Sequence, residues 1–95
     1  MITETPSLWV YPDGREHCRP TPEGKAEYAR RRSVALTDQE GRCAICYKAL
    51  PAWLATTDHR EPRGMGGGTR DDRQGNIQAV CWGCNSEKAS RRDYR

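Results

Sequence analysis

The sequence contains no phenylalanine, only two histidines, and only three lysines among its 16 basic residues. No apolar run approaches the roughly 18 residues that a membrane-spanning helix requires. Hydrophobic side chains make up 35% of 95 residues, which bounds the chain to one small domain whose core alone is marginal. A domain of this kind needs a staple, and the five cysteines are the place to look. Five is odd, so complete disulfide pairing within the chain is excluded. The opening Met1-Ile2-Thr3-Glu4 lacks the basic and apolar segments of a secretory signal. The expected compartment is therefore the reducing cytoplasm, where thiolates are available to metal.

The formal charge is +3, and 13 of the 16 cations are arginine. The planar guanidinium suits phosphate oxygens and base edges. Composition alone serves an arginine-rich solvated surface equally well.

Residues 1 to 20 are rich in proline, glycine and charge, with Trp9, Val10 and Tyr11 as their only apolar cluster. They read as an irregular arm that docks by those aromatics. Thr21-Pro22-Glu23 is a helix start: a capping hydroxyl, proline at the first helical position, an acid in the first turn. The helix is expected from Pro22 to Ser33, with Arg30, Arg31 and Arg32 near its negative dipole end or on phosphate. Thr37-Asp38-Gln39-Glu40 fits a capping box closed by Gly41. Strands are expected near Leu54 to Asp58 and within Asn76 to Cys81. A last helix is expected over "NSEKASRR". The division that follows is an N-terminal arm and helix over residues 1–40 and a zinc-bearing domain over residues 41–95.

Cys43 and Cys46 form one C-x-x-C, Cys81 and Cys84 a second, with 34 residues between the pairs. Two intervening residues let both sulfurs of a pair reach one ion. Two pairs complete a tetrahedral thiolate shell for Zn²⁺ with no open position, hence a structural site. In a chain with so little core, the metal contributes directly to folding. Cys18, beside His17, stands outside the two pairs. It is read as a thiol apart from the knot, with a second metal site as the alternative. Trp53 and Trp82 are expected to pack around the zinc.

Closing this knot pins the ends of the middle segment. The apolar runs before Asp58 and after Asn76 can then pair as an antiparallel hairpin, with the glycine-rich stretch as its long loop. The last helix would begin at the second knuckle and carry Asn85 in its first turn. Asp58, His59, Asn76 and Asn85 are then expected to converge. The order Asp58-His59, then Gly75-Asn76-Ile77-Gln78, then Cys81-x-x-Cys84-Asn85-x-x-Lys88 resembles the HNH endonucleases. It is most similar to the zinc-ribbon subgroup that includes the phage recombination endonucleases. The resemblance covers about Gly41 to Arg92 and not the first 40 residues. It departs from the commonest pattern at Asn85, where histidine is usual, although the phage recombination enzymes also have asparagine there. The fold it implies is a small zinc-stabilised α+β domain with a ββα-metal (His-Me finger) core, here preceded by a helical arm. It also suggests a bacterial or phage origin.

Phosphodiester hydrolysis needs an activated water, charge relief on the phosphate and a stabilised leaving oxygen. His59 suits a general base near neutral pH. Asp58 and the Asn85 carbonyl are hard oxygen ligands for Mg²⁺ or Mn²⁺. The resemblance implies one catalytic ion, with His59 activating water on the opposite side of phosphorus. It also implies that Asn76 braces the hairpin and orients His59 through a backbone contact. Neighbours on a regular strand face opposite ways, so Asp58 and His59 require the strand to end or bulge between them. Pro62 and Gly64 just beyond are consistent with that. Glycines 64, 66, 67 and 68 suit either close approach to a phosphate backbone or a linker.

Singly, blander roles are open: a surface histidine, an Asp58–Arg60 ion pair, Asn85 as a helix cap. Arg60, Arg63, Arg70, Arg73, Lys88, Arg91 and Arg92 flank the site and are candidates for DNA phosphate contacts. The expected function is a metal-dependent DNA endonuclease that nicks one strand per site, double-strand cleavage requiring a homodimer or two encounters. The alternative is a non-catalytic zinc-ribbon module that binds nucleic acid or a protein.

Overall fold

The computed structural model describes residues 1–61 and 71–92, with side chains through residue 88. The first 20 residues are not irregular. Strands β1 (Thr3–Glu4), β2 (Leu8–Val10) and β3 (Glu16–Cys18) form an antiparallel sheet in that order, with Leu8 opposite Cys18, Trp9 opposite His17 and Val10 opposite Glu16. The signal for this hairpin is Tyr11-Pro12-Asp13-Gly14. Proline presets the turn, Asp13 accepts from the Arg15 amide, and Gly14 adopts φ +92° before the chain reverses. The mixed polarity of this segment hid the alternation.

Helix α1 spans Pro22–Asp38, and Thr21 caps it by accepting from the Gly24 amide at 3.0 Å. Gly24 is buried where β3 leads into the helix; a Cβ there would lie 1.9 Å from the Arg19 carbonyl oxygen, so no other residue fits that approach. The helix runs five residues beyond the expected Ser33. Val34, Ala35 and Leu36 continue it, and Ala35 and Leu36 are buried. The expected capping box at Thr37–Glu40 is instead the end of this helix. Glu40 and Gly41 take positive φ (58° and 72°), and Gly41 donates back to the Leu36 carbonyl at 2.9 Å, so the glycine stop stands and the second start does not.

The arginine triplet therefore lies mid-helix, away from the dipole end. Arg30 pairs with Glu27, and Arg32 reaches Thr57 Oγ1 at 3.4 Å. Arg31 is buried: Nε donates to Glu27 at 2.7 Å, and Nη1 donates to Glu16 and to the Asp72 carbonyl, both at 2.7 Å. One guanidinium thus ties α1 to β3 and to the returning limb of the long loop.

After α1 the chain makes the first cysteine knuckle and a short 3₁₀ turn at Ala52–Leu54. Strands β4 (Thr56–His59) and β5 (Ile77–Val80) form the expected antiparallel hairpin, and α2 (Trp82–Arg92) follows directly. Helix α1 lies across β5, and α2 meets β4. Gln39 locks the first contact like a missing strand, accepting from the Ala79 amide and donating to its carbonyl, both at 2.9 Å. The core is small: Leu36, Cys43, Leu50, Ala79 and Val80, with Cys46, Cys81 and Cys84 packed against it. Among the described residues no helix is long and apolar enough to cross a membrane.

Replacing Arg31 with Met should cost about 3 kcal/mol in urea unfolding, low for a broken buried ion pair because both glutamates keep partial access to water. Arg30 and Arg31 hold the Glu27 carboxyl at about 2, below its usual 4.5. A depressed carboxylate stabilises above its unfolded value. This carboxylate's contribution, read as the difference in melting temperature between wild type and Glu27→Gln, should therefore be constant above about pH 4.5 and shrink as pH drops toward 2.

Candidate functional site

The two knuckles meet at the junction of β5 and α2. The first is a tight turn in which Cys43 donates to the Lys48 carbonyl at 2.9 Å and Tyr47 takes φ +64°. The amides of Ile45, Cys46 and Cys81 all point at Cys43 Sγ, at 3.4, 3.5 and 3.4 Å. All four sulfurs lie within 4.8 Å of one another, and Cys46 and Cys81 are 3.9 Å apart. Tetrahedral Zn–S bonds of about 2.3 Å put sulfurs about 3.8 Å apart, so the arrangement fits a structural Zn²⁺ with little adjustment. Burial pushes the Cys43 thiol up, but the three amide donors outweigh it and bring it to about 6. Cys84 is pushed up to about 12, first by its hydrogen bond with Cys81 and then by burial and the other sulfurs. This crowding of incipient charge is what a divalent cation relieves. The tryptophans do not pack around the knot: Trp53 is 81% and Trp82 72% exposed. Ala55 and the small neighbours of the cysteines fill that space instead.

The hairpin offers two faces. Pairing continues without a bulge through Asp58 opposite Gln78 and His59 opposite Ile77. The expected break between Asp58 and His59 is therefore absent, and alternation sends them opposite ways. Thr56 and Asp58 face α2, where Asn85 donates to Thr56 Oγ1 at 3.1 Å. Asp58 is 3% exposed and accepts on Oδ2 from Lys88 Nζ and Gln78 Nε2, both at 2.7 Å. Lys88 also donates to the His59 carbonyl at 3.2 Å. Lys88, expected on phosphate, is thus turned inward, and it, not Arg60, is the ion-pair partner of Asp58. Asn85 is not the cap of α2, which begins three residues earlier; its amide is already in the helical ladder, donating to the Cys81 carbonyl.

Thr57 and His59 face α1. His59 stacks on Tyr28, with ring centroids 6.3 Å apart, and its Nε2 lies 2.7 Å from Asp72 Oδ1. Asp72 is fully buried. Its other oxygen accepts from the Cys18 amide at 2.7 Å, and its own amide donates to the Glu16 carbonyl at 2.7 Å. The edge of β3 therefore fixes the carboxylate that holds the imidazole. Sequence reasoning missed Asp72. Its signal was an acidic doublet in an arginine-rich loop, but nothing local tied that doublet to a histidine 13 positions earlier. Asp71 is the companion: burial raises its carboxyl, yet Arg73 and two backbone amides outweigh that and hold it below the usual range.

Asn76 does brace the hairpin. Its side chain accepts from the Glu61 amide and donates to the Asp71 carbonyl, both at 2.8 Å, and its own carbonyl accepts from Arg60, next to His59, at 2.8 Å. Arg60 and Arg73 share a cleft of about 370 Å³ with Asn76, but Arg73 is engaged by Asp71 at 2.7 Å. Pro62, Arg63, the loop glycines and Arg70 lie outside the described residues, as do the side chains of Arg91 and Arg92. The structure thus brings Asp58, Asn85 and Lys88 to one face, His59 and Asp72 to the other, and Asn76 to the hairpin end where β5 begins.

Comparison with protein-family models, with curated proteins and with solved structures returns no match for this chain.

Purified protein should carry one zinc per chain, and Cys43→Ser should abolish the cooperative melt, because Cys43 is both ligand and core. Zinc should be lost to a chelator with rising ease between about pH 8 and pH 5, as protons compete for the thiolates. A wild-type melt in Cys43→Ser would contradict this.

Proposed function

We propose that this chain is a metal-dependent DNA endonuclease of the HNH type, nicking one strand at a single site. The observation that carries the proposal is His59 at the end of β4 with buried Asp72 on its Nε2 at 2.7 Å, next in sequence to Asp58 on the opposite face. In a phosphoryl displacement the attacking and leaving oxygens lie in line on opposite sides of phosphorus. Adjacent residues facing opposite ways at a strand end can serve those two sides. The sequence expectation of a shared face is not required.

With Asp72 ionised, its oxygen would only accept, so Nε2 would carry the proton and Nδ1 would be left as the base. His59 would take a proton from water at Nδ1, while Asp72 stabilises the imidazolium that forms. Asp58 and the Asn85 carbonyl oxygen would hold Mg²⁺ or Mn²⁺. Their hard oxygens suit either ion, which would supply charge relief on the phosphate and leaving oxygen. Asp58 Oδ2 and the His59 carbonyl already receive an ammonium, that of Lys88. That contact supports reading these oxygens as a cation position, which Lys88 must vacate. Asn76 keeps His59 at the strand end through its backbone bond to Arg60. The four-cysteine knot remains structural.

The same Lys88–Asp58 pair favours a second reading: a non-catalytic zinc-ribbon module in which the acid merely anchors α2. Supercoiled plasmid with Mg²⁺ or Mn²⁺ separates the two. The nuclease reading expects nicked circles, lost by a factor of about 10² to 10⁴ in His59→Ala with the zinc retained. Asp72→Asn should lower the rate with the zinc retained, while Asp58→Ala should remove the metal-dependent activity. DNA binding without cleavage under either ion would leave only the module.

A further inference from the structure

The first 40 residues have no role in the hydrolytic reading beyond holding Asp72 and Tyr28. They nonetheless build a cleft of about 390 Å³ between β3 and the start of α1, and Trp9, His17, Arg19, Lys25 and Tyr28 are among its walls. Its chemistry is unusual for so small a domain. Trp9 and His17, paired across β2 and β3, meet edge to face with centroids 5.5 Å apart. The Arg19 guanidinium lies 5.6 Å above the Trp9 ring. Tyr28 is shared with the imidazole of His59. Among the described residues the lining contains no branched aliphatic side chain and no acid. Glu4 holds the Trp9 indole at 2.9 Å and approaches Arg19 at 3.5 Å, and it is not among the cleft's walls. The Lys25 ammonium is exposed.

We propose that this cleft binds a nucleobase of the strand on which His59 acts, with Lys25 on an adjoining phosphate. Flat aromatic walls bind any base face without reading its sequence, and cations beside them track the backbone. A peptide or lipid would be met by leucine, isoleucine or valine, which are absent from the walls among the described residues. An anionic ligand is favoured because the charged walls among the described residues, Arg19 and Lys25, are cations. The volume suits one planar ring system with its solvent and excludes a folded partner. Tyr28 joins the cleft to the candidate general base, so a base seated there holds its own strand against the end of β4. The inference rests on the nuclease reading for where the strand is cut. Base binding itself is measured separately.

Trp53 and Trp82 are exposed, so replacing both with Phe leaves the core intact and Trp9 as the sole tryptophan reporter. Titrating this zinc-loaded variant with hexathymidylate, without Mg²⁺ or Mn²⁺, should give saturable quenching of Trp9. Lys25→Glu, an exposed change near a helix start that tolerates acids, should weaken that binding by about tenfold. With plasmid, Lys25→Glu and Trp9→Leu should each raise KM about tenfold and leave kcat within a factor of about two. Quenching without cleavage under any ion would sink the nuclease reading and keep the cleft as a base site. Cleavage with no quenching, or with KM unchanged in both variants, would overturn the cleft.

Discussion

The fold depends on four sulfurs being gathered where β5 turns into α2. In most domains a metal site is added to a hydrophobic core. Here the four-cysteine cluster, which suits zinc, is part of one, since Cys43 is buried beside Leu36, Leu50, Ala79 and Val80, and the other three cysteines pack on that core. With no phenylalanine and few large aliphatics, the chain has little else at its centre. The knot also fixes geometry. It sets where α2 starts, hence which of its residues meet β4, and so places Asn85 and Lys88 against Thr56 and Asp58.

A second constraint acts on the other face. Arg31 is charged and buried, which is tolerable only because three oxygens surround it: carboxylates of Glu16 and Glu27 and the carbonyl of Asp72. That arrangement docks the loop's returning limb onto β3. The Asp72 carboxylate is then presented to His59 while its second oxygen is spent on the Cys18 amide. The position of the imidazole is therefore determined by residues 16 to 31, far from the hairpin in sequence. Residues before the cysteine knot thus form one wall of the candidate site.

What could be read from the sequence was what is encoded locally. The C-x-x-C pairs, the Thr21-Pro22 helix start, the Gly41 stop and the two strands each have short-range signatures, and the structure has all of them. The N-terminal sheet had a signature too, in Tyr11-Pro12-Asp13-Gly14, but strands of two and three residues leave too little alternation to see. The end of α1 was misjudged because the arginine triplet resembles a helix terminus, when Arg31 is in fact held by long-range partners. Asp72 beside His59 and Lys88 on Asp58 could not be read at all. Each contact joins residues 13 or more positions apart, and only the closed fold brings them together.

The opposed directions of Asp58 and His59 at first count against a single reactive centre. Strand geometry makes them unavoidable, since pairing runs unbroken to His59. A reaction needing two groups on one side of its substrate could not use such a pair. In-line displacement at phosphorus is different, because bond making and bond breaking occur on opposite sides. Strand β4 ends at His59, with the Asp58 carboxylate one position earlier, and so sets the two side chains apart across its own thickness. In the nuclease reading proposed above, a phosphate at the end of β4 would meet imidazole on one side and the Asp58 and Asn85 oxygens on the other. On that reading the regular strand, unexpected from the sequence, is the element that would separate the two roles.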